Sequence, residues 1–371
     1  MSPPLHVGGS GVRITALDGL RGISILFVVV GHLATYRLAF DPHLDESPYV
    51  FTVLASWGVA LFFVISGFII TRLALIERET SGRFAIRSFY TRRFFRIIPP
   101  FYTYLGVILL CYWLGMIHFS LADILRAGAF VCNLPDSRCG WFTGHSWTLA
   151  YEEQFYLAFP LVISLSIGKL RKVIAGTMIL LLLFPTACGF LNLGSLWHRE
   201  WALSPSFSFI CVGALMAAHD NKLKLLLASR FAATIGWVAA LLLAVFLLTN
   251  SLYPAADTEW ITQLELVILP FCFALIVGHV AHRDSALTRV LNHWSLQFLG
   301  AISYSLYIWQ QLFTARTIKY QDASFLTIFP LMFMAAILSY YFIERPSIRL
   351  GRRVLNFGFT HRPQTLAKGP T

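Results

Sequence analysis

A chain of 371 residues with 57% apolar and only 13% charged side chains carries too much apolar surface for one soluble core. Soluble domains are about a quarter charged, so this composition excludes an ordinary globular protein and predicts an integral membrane protein. The net charge of +11 does not indicate a nucleic-acid partner, because the basic residues are divided among short segments that flank apolar stretches.

Ten apolar stretches are long enough to cross a membrane as helices, for which about 20 residues are needed. They lie at about 16–38, 50–76, 97–117, 146–168, 173–193, 203–219, 229–250, 261–281, 296–315 and 322–343. A cytoplasmic N-terminus would place most of the 29 Lys and Arg residues on the cytoplasmic side, as membrane topology favours. We therefore predict an all-α integral membrane protein, a bundle of about ten transmembrane helices with both termini cytoplasmic. Residues 1–350 are expected to form one membrane-embedded domain, followed by a short basic cytoplasmic tail, 351–371.

The first predicted helix carries Asp18, Arg21 and His32. Arg21 and His32 are separated by about three helical turns, so they share one face roughly 16 Å apart. Ionisable side chains inside a membrane are costly and tend to be functional. The pattern therefore favours a site or path along this face. The alternative is that Arg21 pairs with Asp18 and that His32 only caps a helix interface.

In the second predicted helix, Gly67 beside Ser66 is expected to allow close approach of a neighbouring helix. The loop that follows carries Arg92, Arg93 and Arg96 among aromatic residues, just before Pro99 and Pro100, where the third helix is expected to begin or kink. This run suits an anchor that holds anionic lipid headgroups. It equally suits a pocket for a phosphate-bearing ligand, since guanidinium groups bind phosphates in a bidentate way. The run alone does not decide between the two.

Cys132 and Cys139 lie close in sequence in the longest predicted extracytoplasmic segment, so a small-loop disulfide is expected there. The remaining cysteines lie in apolar helices and are interpreted as packing residues. No spacing of residues indicates a metal site.

The fourth predicted helix carries Glu152 and Glu153 about two turns inside its outer end, with His145 near the surface above them. Adjacent helical residues point about 100° apart, so the two carboxylates are expected to face different partners.

The ninth predicted helix is unusually polar, which indicates that it lines a cavity or bonds to neighbouring helices. Its hydrogen-bonding residues are Ser303, Tyr304, Ser305, Tyr307, Trp309, Gln310 and Gln311. Of these, we predict that Tyr304, Trp309 and Gln310 bind substrate. Glu344, which ends the tenth predicted helix, is expected to pair with the basic inner rim.

Six stretches in order make the chain resemble the acyltransferase 3 family of bacterial integral membrane acyltransferases. They are LDGLRGISILFVVVGH, FFVISGF, FYTRRFFRIIPPFY, SWTLAYEEQFYL, SYSLYIW and ERP, and together they extend over about residues 14–350. One departure stands out, since members of that family often have a histidine after the tryptophan of helix nine, where this chain has Gln310. The role of that position is therefore in doubt.

The resemblance implies transfer of an acyl group, usually acetyl, from cytoplasmic acyl-CoA to a hydroxyl of an extracytoplasmic glycan or other sugar-containing acceptor. It implies a multi-pass protein of the bacterial inner membrane that needs acetyl-CoA or another acyl-CoA as donor and no metal. It leaves the oligomeric state, the acyl length and the acceptor open.

Under this interpretation Arg21, Arg92, Arg93 and Arg96 would contact CoA, and His32 would act as general base towards the acceptor hydroxyl. Glu152 is our first choice for the carboxylate that orients His32, with Glu153 as the other candidate catalytic carboxylate. A covalent acyl-histidine intermediate remains an alternative to direct transfer.

A different function class, a transporter or flippase of an anionic or glycan-lipid solute, would also use buried Arg, His and Glu. Many transporters are built from two related halves. Here the charged motifs cluster in helices one to four and are not repeated in six to nine, which favours the enzyme. A receptor or scaffold leaves the buried charges unexplained and ranks last.

Overall fold

In the computed structural model the part of the protein that it describes is predominantly helical. That part comprises residues 13–38, 49–134, 137, 139–165, 169, 172–177, 203–228, 232–252, 259–314 and 325–360. No β-strand occurs among these residues.

Fourteen α-helices are numbered here in chain order. They are α1 (Thr15–Leu38), α2 (Tyr49–Ser81), α3 (Ile86–Trp113), α4 (Leu121–Gly128), α5 (Trp141–Gly144), α6 (Ser146–Leu165), α7 (Leu203–Ala218), α8 (Asp220–Ala228), α9 (Ala232–Leu252), α10 (Glu259–His282), α11 (Ala286–Leu291), α12 (Trp294–Phe313), α13 (Phe325–Ser339) and α14 (Arg345–Thr360). A π-helical turn, Tyr340–Glu344, joins α13 to α14. Residues 172–177 are also helical.

Nine of the ten predicted spans coincide with helices in this description, and most of the fifth, 173–193, lies outside the described residues. Among the described residues, four helical stretches are long and apolar enough to cross a membrane, namely Thr15–Ala34, Val50–Ser81, Ile86–Trp113 and Thr327–Asn356. Shorter apolar helices are present at Ser206–Ala218, Gly236–Thr249 and Val267–His282. The structure thus supports an all-helical membrane protein, while the ten-span bundle with cytoplasmic termini stays a prediction.

The third helix begins earlier than the sequence suggested. It starts at Ile86 rather than near residue 97, so that Pro99 and Pro100 lie inside it. The prolines lack the backbone N–H that would bond a carbonyl of the preceding turn, yet the helix continues through them. One turn later, the Thr103 hydroxyl donates to the Pro99 carbonyl. The arginine-rich run is therefore the first part of a continuous helix.

Helix α1 is held between α2 and α12 by backbone contact at glycines. A Cβ at Gly300 of α12 would overlap the carbonyl oxygen of Asp18 in α1. A Cβ at Gly19 of α1 would overlap the carbonyl oxygen of Leu291, the last residue of α11. Small residues allow such approach between membrane helices. Gly67 of α2 makes the expected close contact, with the Ile210 carbonyl of α7.

Two clusters of buried apolar side chains form the interior. One is built mainly from α1, α2, α6, α7 and α10, and the other from α1, α3, α12 and α13 with the short helices α4 and α5. Val59 and Tyr304 pack against both clusters. Both of these residues also line the cavity that holds Arg21, Arg93 and Arg96.

Helix α14 extends the chain past the predicted domain boundary. Residues 351–360 of the expected tail are helical, and 361–371 lie outside the described residues. Gly351 is buried against the Phe95 side chain of α3, which ties this helix to the arginine-rich segment.

Candidate functional site

Two neighbouring cavities share part of their walls, next to side chains that pack against both apolar clusters. The first, which we call the arginine chamber, has a volume of about 70 Å³ and is lined by Arg21, Arg93 and Arg96. The second, which we call the imidazole chamber, has a volume of about 720 Å³ and is lined by His32 and His145. Val59 and Tyr307 line both cavities. The predicted stripe on α1 therefore connects two chambers, with Arg21 in one and His32 in the other.

The arginine chamber is positively charged because three guanidinium groups converge from two helices. Arg93 and Arg96 are one turn apart on α3, so they share a face, and Arg21 comes from α1. The Arg93 guanidinium lies over the Tyr156 ring, 4.9 Å from its centroid, and Arg21 lies over Phe62 at 5.9 Å.

These three guanidinium groups are not neutralised by direct ion pairs. Asp18 pairs with Arg13, at 2.8 Å between Nη2 and Oδ2, and so does not form the pair with Arg21 that was the alternative explanation. Among the described residues no carboxylate oxygen lies within 4.0 Å of the Arg21, Arg93 or Arg96 nitrogens. The Nε of Arg21 is also buried without a hydrogen-bond partner in this part of the chain. The chamber is thus suited to receive an anionic group.

Arg92 does not join this cluster. It is exposed and its Nη2 lies 3.1 Å from Glu77 Oε2, because one residue's rotation along α3 turns it away from the chamber.

The structure corrects the expectation for Glu152. Glu152 lines the arginine chamber, where it accepts hydrogen bonds from Ser66 at 2.7 Å and Tyr156 at 3.2 Å. It therefore does not orient His32. The adjacent Glu153 points elsewhere, as the 100° rotation requires, and its Oε1 is buried without a hydrogen-bond partner among the described residues.

His32 is oriented instead by Gln310, across the interface between α1 and α12. The distance from His32 Nδ1 to Gln310 Oε1 is 2.7 Å. A chain of amides continues from there, since Gln310 Nε2 donates to Gln311 Oε1 at 3.4 Å and Gln311 Nε2 donates to the Trp141 carbonyl at 2.8 Å. The Trp141 ring also packs edge-on against the imidazole, with centroids 5.9 Å apart.

The direction of this chain fixes the tautomer of His32. A backbone carbonyl can only accept, so Gln311 must present its amide nitrogen to Trp141 and its oxygen to Gln310. Gln310 then presents its own oxygen to His32, and Nδ1 must carry the proton. The neutral imidazole keeps a lone pair on Nε2, which is the state required of a base.

Of the three predicted substrate-binding residues on α12, one lines a chamber. The Tyr304 side chain lines the arginine chamber and its hydroxyl donates to the Ile97 carbonyl at 2.8 Å. Trp309 and Gln310 line neither chamber. Trp309 packs edge-on against Tyr104 with centroids 5.6 Å apart, and Gln310 acts through His32.

Glu344 is buried and accepts a hydrogen bond from Ser305 at 2.7 Å. Its carboxylate makes no direct ion pair with a basic side chain among the described residues, so the expected pairing with the inner rim is not seen.

Two residues that line the chambers, His145 and Tyr307, were given no role in the predicted site. His145 was expected near the surface, yet only 3% of it is exposed, because α5 and α6 fold it beneath Tyr104 and Tyr307. Tyr307 was one of many polar residues on its helix, and no sequence signal distinguished it from its neighbours.

The wall of the imidazole chamber includes the predicted disulfide, which is formed between Cys132 and Cys139 with Cα atoms 5.5 Å apart. The rest of this wall is mainly aromatic or neutral and polar, and the described lining residues include no Asp, Glu, Lys or Arg. Its hydrogen-bonding and aromatic members are Thr52, Ser56, Asn133, Trp141, Trp147, Tyr151, Ser206, Tyr307 and Gln311. Within the part of the chain that the structure describes, no group of three His, Cys, Asp or Glu side chains could hold a metal ion.

Comparison with known proteins shows which family the chain resembles. A model of the acyltransferase domain family matches residues 14–344, which confirms the resemblance seen in the sequence. The chain is 25% identical over 375 residues to the O-acetyltransferase OatA of Staphylococcus aureus strain NCTC 8325, with 93% of this chain and 58% of that protein covered. It is 24% identical over 371 residues to YrhL of Bacillus subtilis strain 168, named as a candidate peptidoglycan O-acetyltransferase, with 90% and 54% covered.

The chain spans less than two thirds of the length of these relatives. No solved structure matches it.

Proposed function

The chain belongs to the acyltransferase 3 family, and on that premise we propose that it is a transmembrane O-acyltransferase. It moves an acyl group, acetyl by preference, from cytoplasmic acyl-CoA to a hydroxyl of an extracytoplasmic glycan. The observation that carries this proposal is the contact between two unlike chambers. One holds three guanidinium groups that have no ion-pair partner among the described residues, and the other holds an imidazole that Gln310 orients through Nδ1.

The proposed orientation places the arginine chamber towards the cytoplasm and the imidazole chamber towards the outer face of the bacterial inner membrane. The predicted topology supports it, because both termini and most basic loops then lie on the cytoplasmic side. The disulfide beside the imidazole chamber supports it as well, since disulfides persist on the oxidising side of a membrane.

The donor would bind with its thioester end in the arginine chamber. A volume of about 70 Å³ accommodates a small acyl group and not a nucleotide, so the CoA phosphates would lie at the mouth. Arg93 and Arg96 on α3, with Arg21, line the chamber itself, so they would donate hydrogen bonds to the carbonyl oxygens of the thioester and the adjoining pantetheine arm of CoA. Glu152 is proposed to balance the guanidinium charge. Arg92 and Glu153 lie outside the chamber and are given no contact with the donor.

The acceptor would enter the imidazole chamber, whose volume of about 720 Å³ is sufficient for a sugar unit. Aromatic and neutral hydrogen-bonding side chains suit the apolar faces and hydroxyl groups of a sugar. The name given to YrhL, which specifies peptidoglycan, supports a glycan acceptor.

In the proposed reaction, His32 Nε2 takes the proton of an acceptor hydroxyl while the hydroxyl oxygen attacks the thioester carbonyl. The tetrahedral intermediate collapses by breaking the C–S bond, and the imidazolium returns its proton to the departing thiolate of CoA. General-base assistance of this kind contributes about 10²–10⁴-fold in rate. Gln310 holds the imidazole through Nδ1 in every step.

The same geometry serves the covalent alternative. His32 Nε2 would attack the thioester carbonyl, and breaking the C–S bond would release the CoA thiolate, which takes a proton from water. The acceptor oxygen would then displace the imidazole from the acyl group, and the hydroxyl proton would pass to the hydroxide so formed, which regenerates the water. A burst of CoA release before acceptor is added would identify this route.

The test uses the purified chain in lipid nanodiscs with acetyl-CoA and cell-wall glycan fragments, and it measures free CoA thiol and acetylated glycan. The unaltered chain should release CoA in proportion to acetylated glycan, and His32→Ala should lower kcat by about 10²–10⁴-fold. His118→Ala is the matched control, because His118 is exposed and lines neither chamber.

Equal activity of His32→Ala and His118→Ala would refute the assigned role of His32. Flux of glycan-lipid across vesicles without acyl-CoA, together with no CoA release, would instead favour the transporter.

A further inference from the structure

Tyr307 is the polar side chain that lines both chambers, and Val59 is its apolar counterpart. Its residue is only 8% exposed. An acyl group that moves from the arginine chamber to the imidazole chamber along this shared wall passes beside these two side chains. Tyr307 therefore lies where the two half-sites of the proposed reaction meet.

The hydroxyl of Tyr307 ties α12 to the start of α6. It donates to the His145 carbonyl at 3.1 Å and lies 2.7 Å from Thr148 Oγ1. These two groups are the whole hydrogen-bonding environment of the phenol among the described residues. These two hydrogen bonds of the phenol oxygen hold the Tyr307 ring in the wall that the two chambers share.

This position of Tyr307 leaves His145 poorly satisfied. The imidazole packs edge-on against Tyr307, with centroids 5.6 Å apart, and against Tyr104 at 5.3 Å. Both ring nitrogens are buried, and neither has a hydrogen-bond partner in the described part of the chain. A buried polar group without a partner destabilises the arrangement that buries it. If the Tyr307 ring turned aside, the two phenol hydrogen bonds would be lost and the His145 nitrogens would become accessible to water or acceptor in the imidazole chamber.

We propose that Tyr307 is a movable partition that keeps the thioester in the arginine chamber apart from water and acceptor in the imidazole chamber. Its function is to favour transfer over hydrolysis. In hydrolysis, a water oxygen attacks the thioester carbonyl, the C–S bond breaks, and free carboxylic acid and CoA thiol are released. The inference rests on the proposed acyltransferase function, but the connection between the chambers can be tested without catalysis.

The accessibility test uses one introduced cysteine in each chamber. Ser56→Cys lies in the imidazole chamber and Ser66→Cys in the arginine chamber. A negatively charged, membrane-impermeant methanethiosulfonate, which the arginines of the inner chamber attract, is added only to the outer face of intact cells. Labelling is counted above that of the parent chain. Ser56→Cys should react whether or not Tyr307 is present. Ser66→Cys should react only when Tyr307→Ala is also present.

Two controls separate a partition from a general loosening of the fold. Tyr102→Ala removes a tyrosine whose hydroxyl bonds the Gly128 carbonyl away from both chambers, and it should leave Ser66→Cys unreactive. Tyr307→Phe keeps the ring and removes only the hydroxyl, so it should give an intermediate labelling rate. This variant also keeps the test informative if Tyr307→Ala does not fold.

The second measurement is the ratio of free acetate to acetylated glycan formed from acetyl-CoA. Tyr307→Ala should raise this ratio several-fold, with Tyr307→Phe between it and the unaltered chain. Ser66→Cys labelling that is equal with and without Tyr307 would overturn the partition, as would an unchanged ratio in a chain that turns over acetyl-CoA. An unaltered chain that releases no CoA would refute the proposed function, while the labelling would still test the partition.

Discussion

Replacing Gln310 with leucine tests the most specific feature of the site. The side chains are close in size, so Gln310→Leu removes the 2.7 Å contact with His32 Nδ1 while keeping the packing between α1 and α12. In the proposed transition state the imidazole carries positive charge. A hydrogen bond to a charged group contributes about 1.5–3 kcal/mol. At 1.36 kcal/mol per factor of ten, its loss should lower kcat by about 10–150-fold.

Gln310→Glu is the matched comparison, because it keeps an oxygen that accepts from Nδ1. This variant should retain much more activity than Gln310→Leu. Initial rates of CoA release at saturating acetyl-CoA give kcat, and thermal unfolding of each variant in nanodiscs checks that the fold is intact. Full activity in Gln310→Leu would refute the orienting role of Gln310. An equal loss in both variants, with unchanged unfolding temperatures, would also contradict that role, because Gln310→Glu keeps the oxygen that accepts from Nδ1.

Three further predictions concern the donor site, the helix packing and the disulfide. Arg93→Ala should weaken binding of CoA, measured by calorimetry, by about 10–150-fold, the equivalent of one charge-assisted hydrogen bond, whereas Arg93→Lys should recover part of the loss. Gly300→Ala would push a Cβ into the Asp18 carbonyl and should destabilise the fold by about 1–3 kcal/mol, seen as a lower unfolding temperature. Cys139→Ser removes a disulfide between residues with a sequence separation of 7. By the loop-entropy relation it should lower the free energy of unfolding by about 2.5 kcal/mol, seen as a lower unfolding temperature than that of the oxidised parent. An unfolding temperature equal to that of the parent would contradict either of the last two.

The sequence predicted best those features that depend on one helix. The eleven-residue spacing placed Arg21 and His32 on one face, and the three-residue spacing of Arg93 and Arg96 paired them correctly. The disulfide followed from proximity in sequence. In each case helical periodicity or loop length was sufficient.

Features that depend on the relative rotation of several helices were not predictable in this way. Glu152 was assigned to His32 from its depth, but depth does not reveal which neighbour a helix faces, and α6 presents Glu152 to Ser66 and Tyr156. Gln310 was doubted because it departs from the pattern of the family, yet its amide supplies the bond that the carboxylate was expected to make. The position of Tyr307 between chambers required α2, α6 and α12 to be placed together.

The glycine contacts determine which helices can move relative to one another during the proposed reaction. Through Gly300, Gly58, Gly67 and Gly213, backbone touches backbone from α12 to α1, from α1 to α2 and from α2 to α7. Backbones in such contact cannot slide without collision, so these four helices should move as one stiff frame that carries the His32–Gln310 pair. The arginines on α3 and the Thr148 anchor on α6 lie on helices outside this frame. We therefore expect α3 and α6 to move when the donor enters, while the His32 imidazole stays in place.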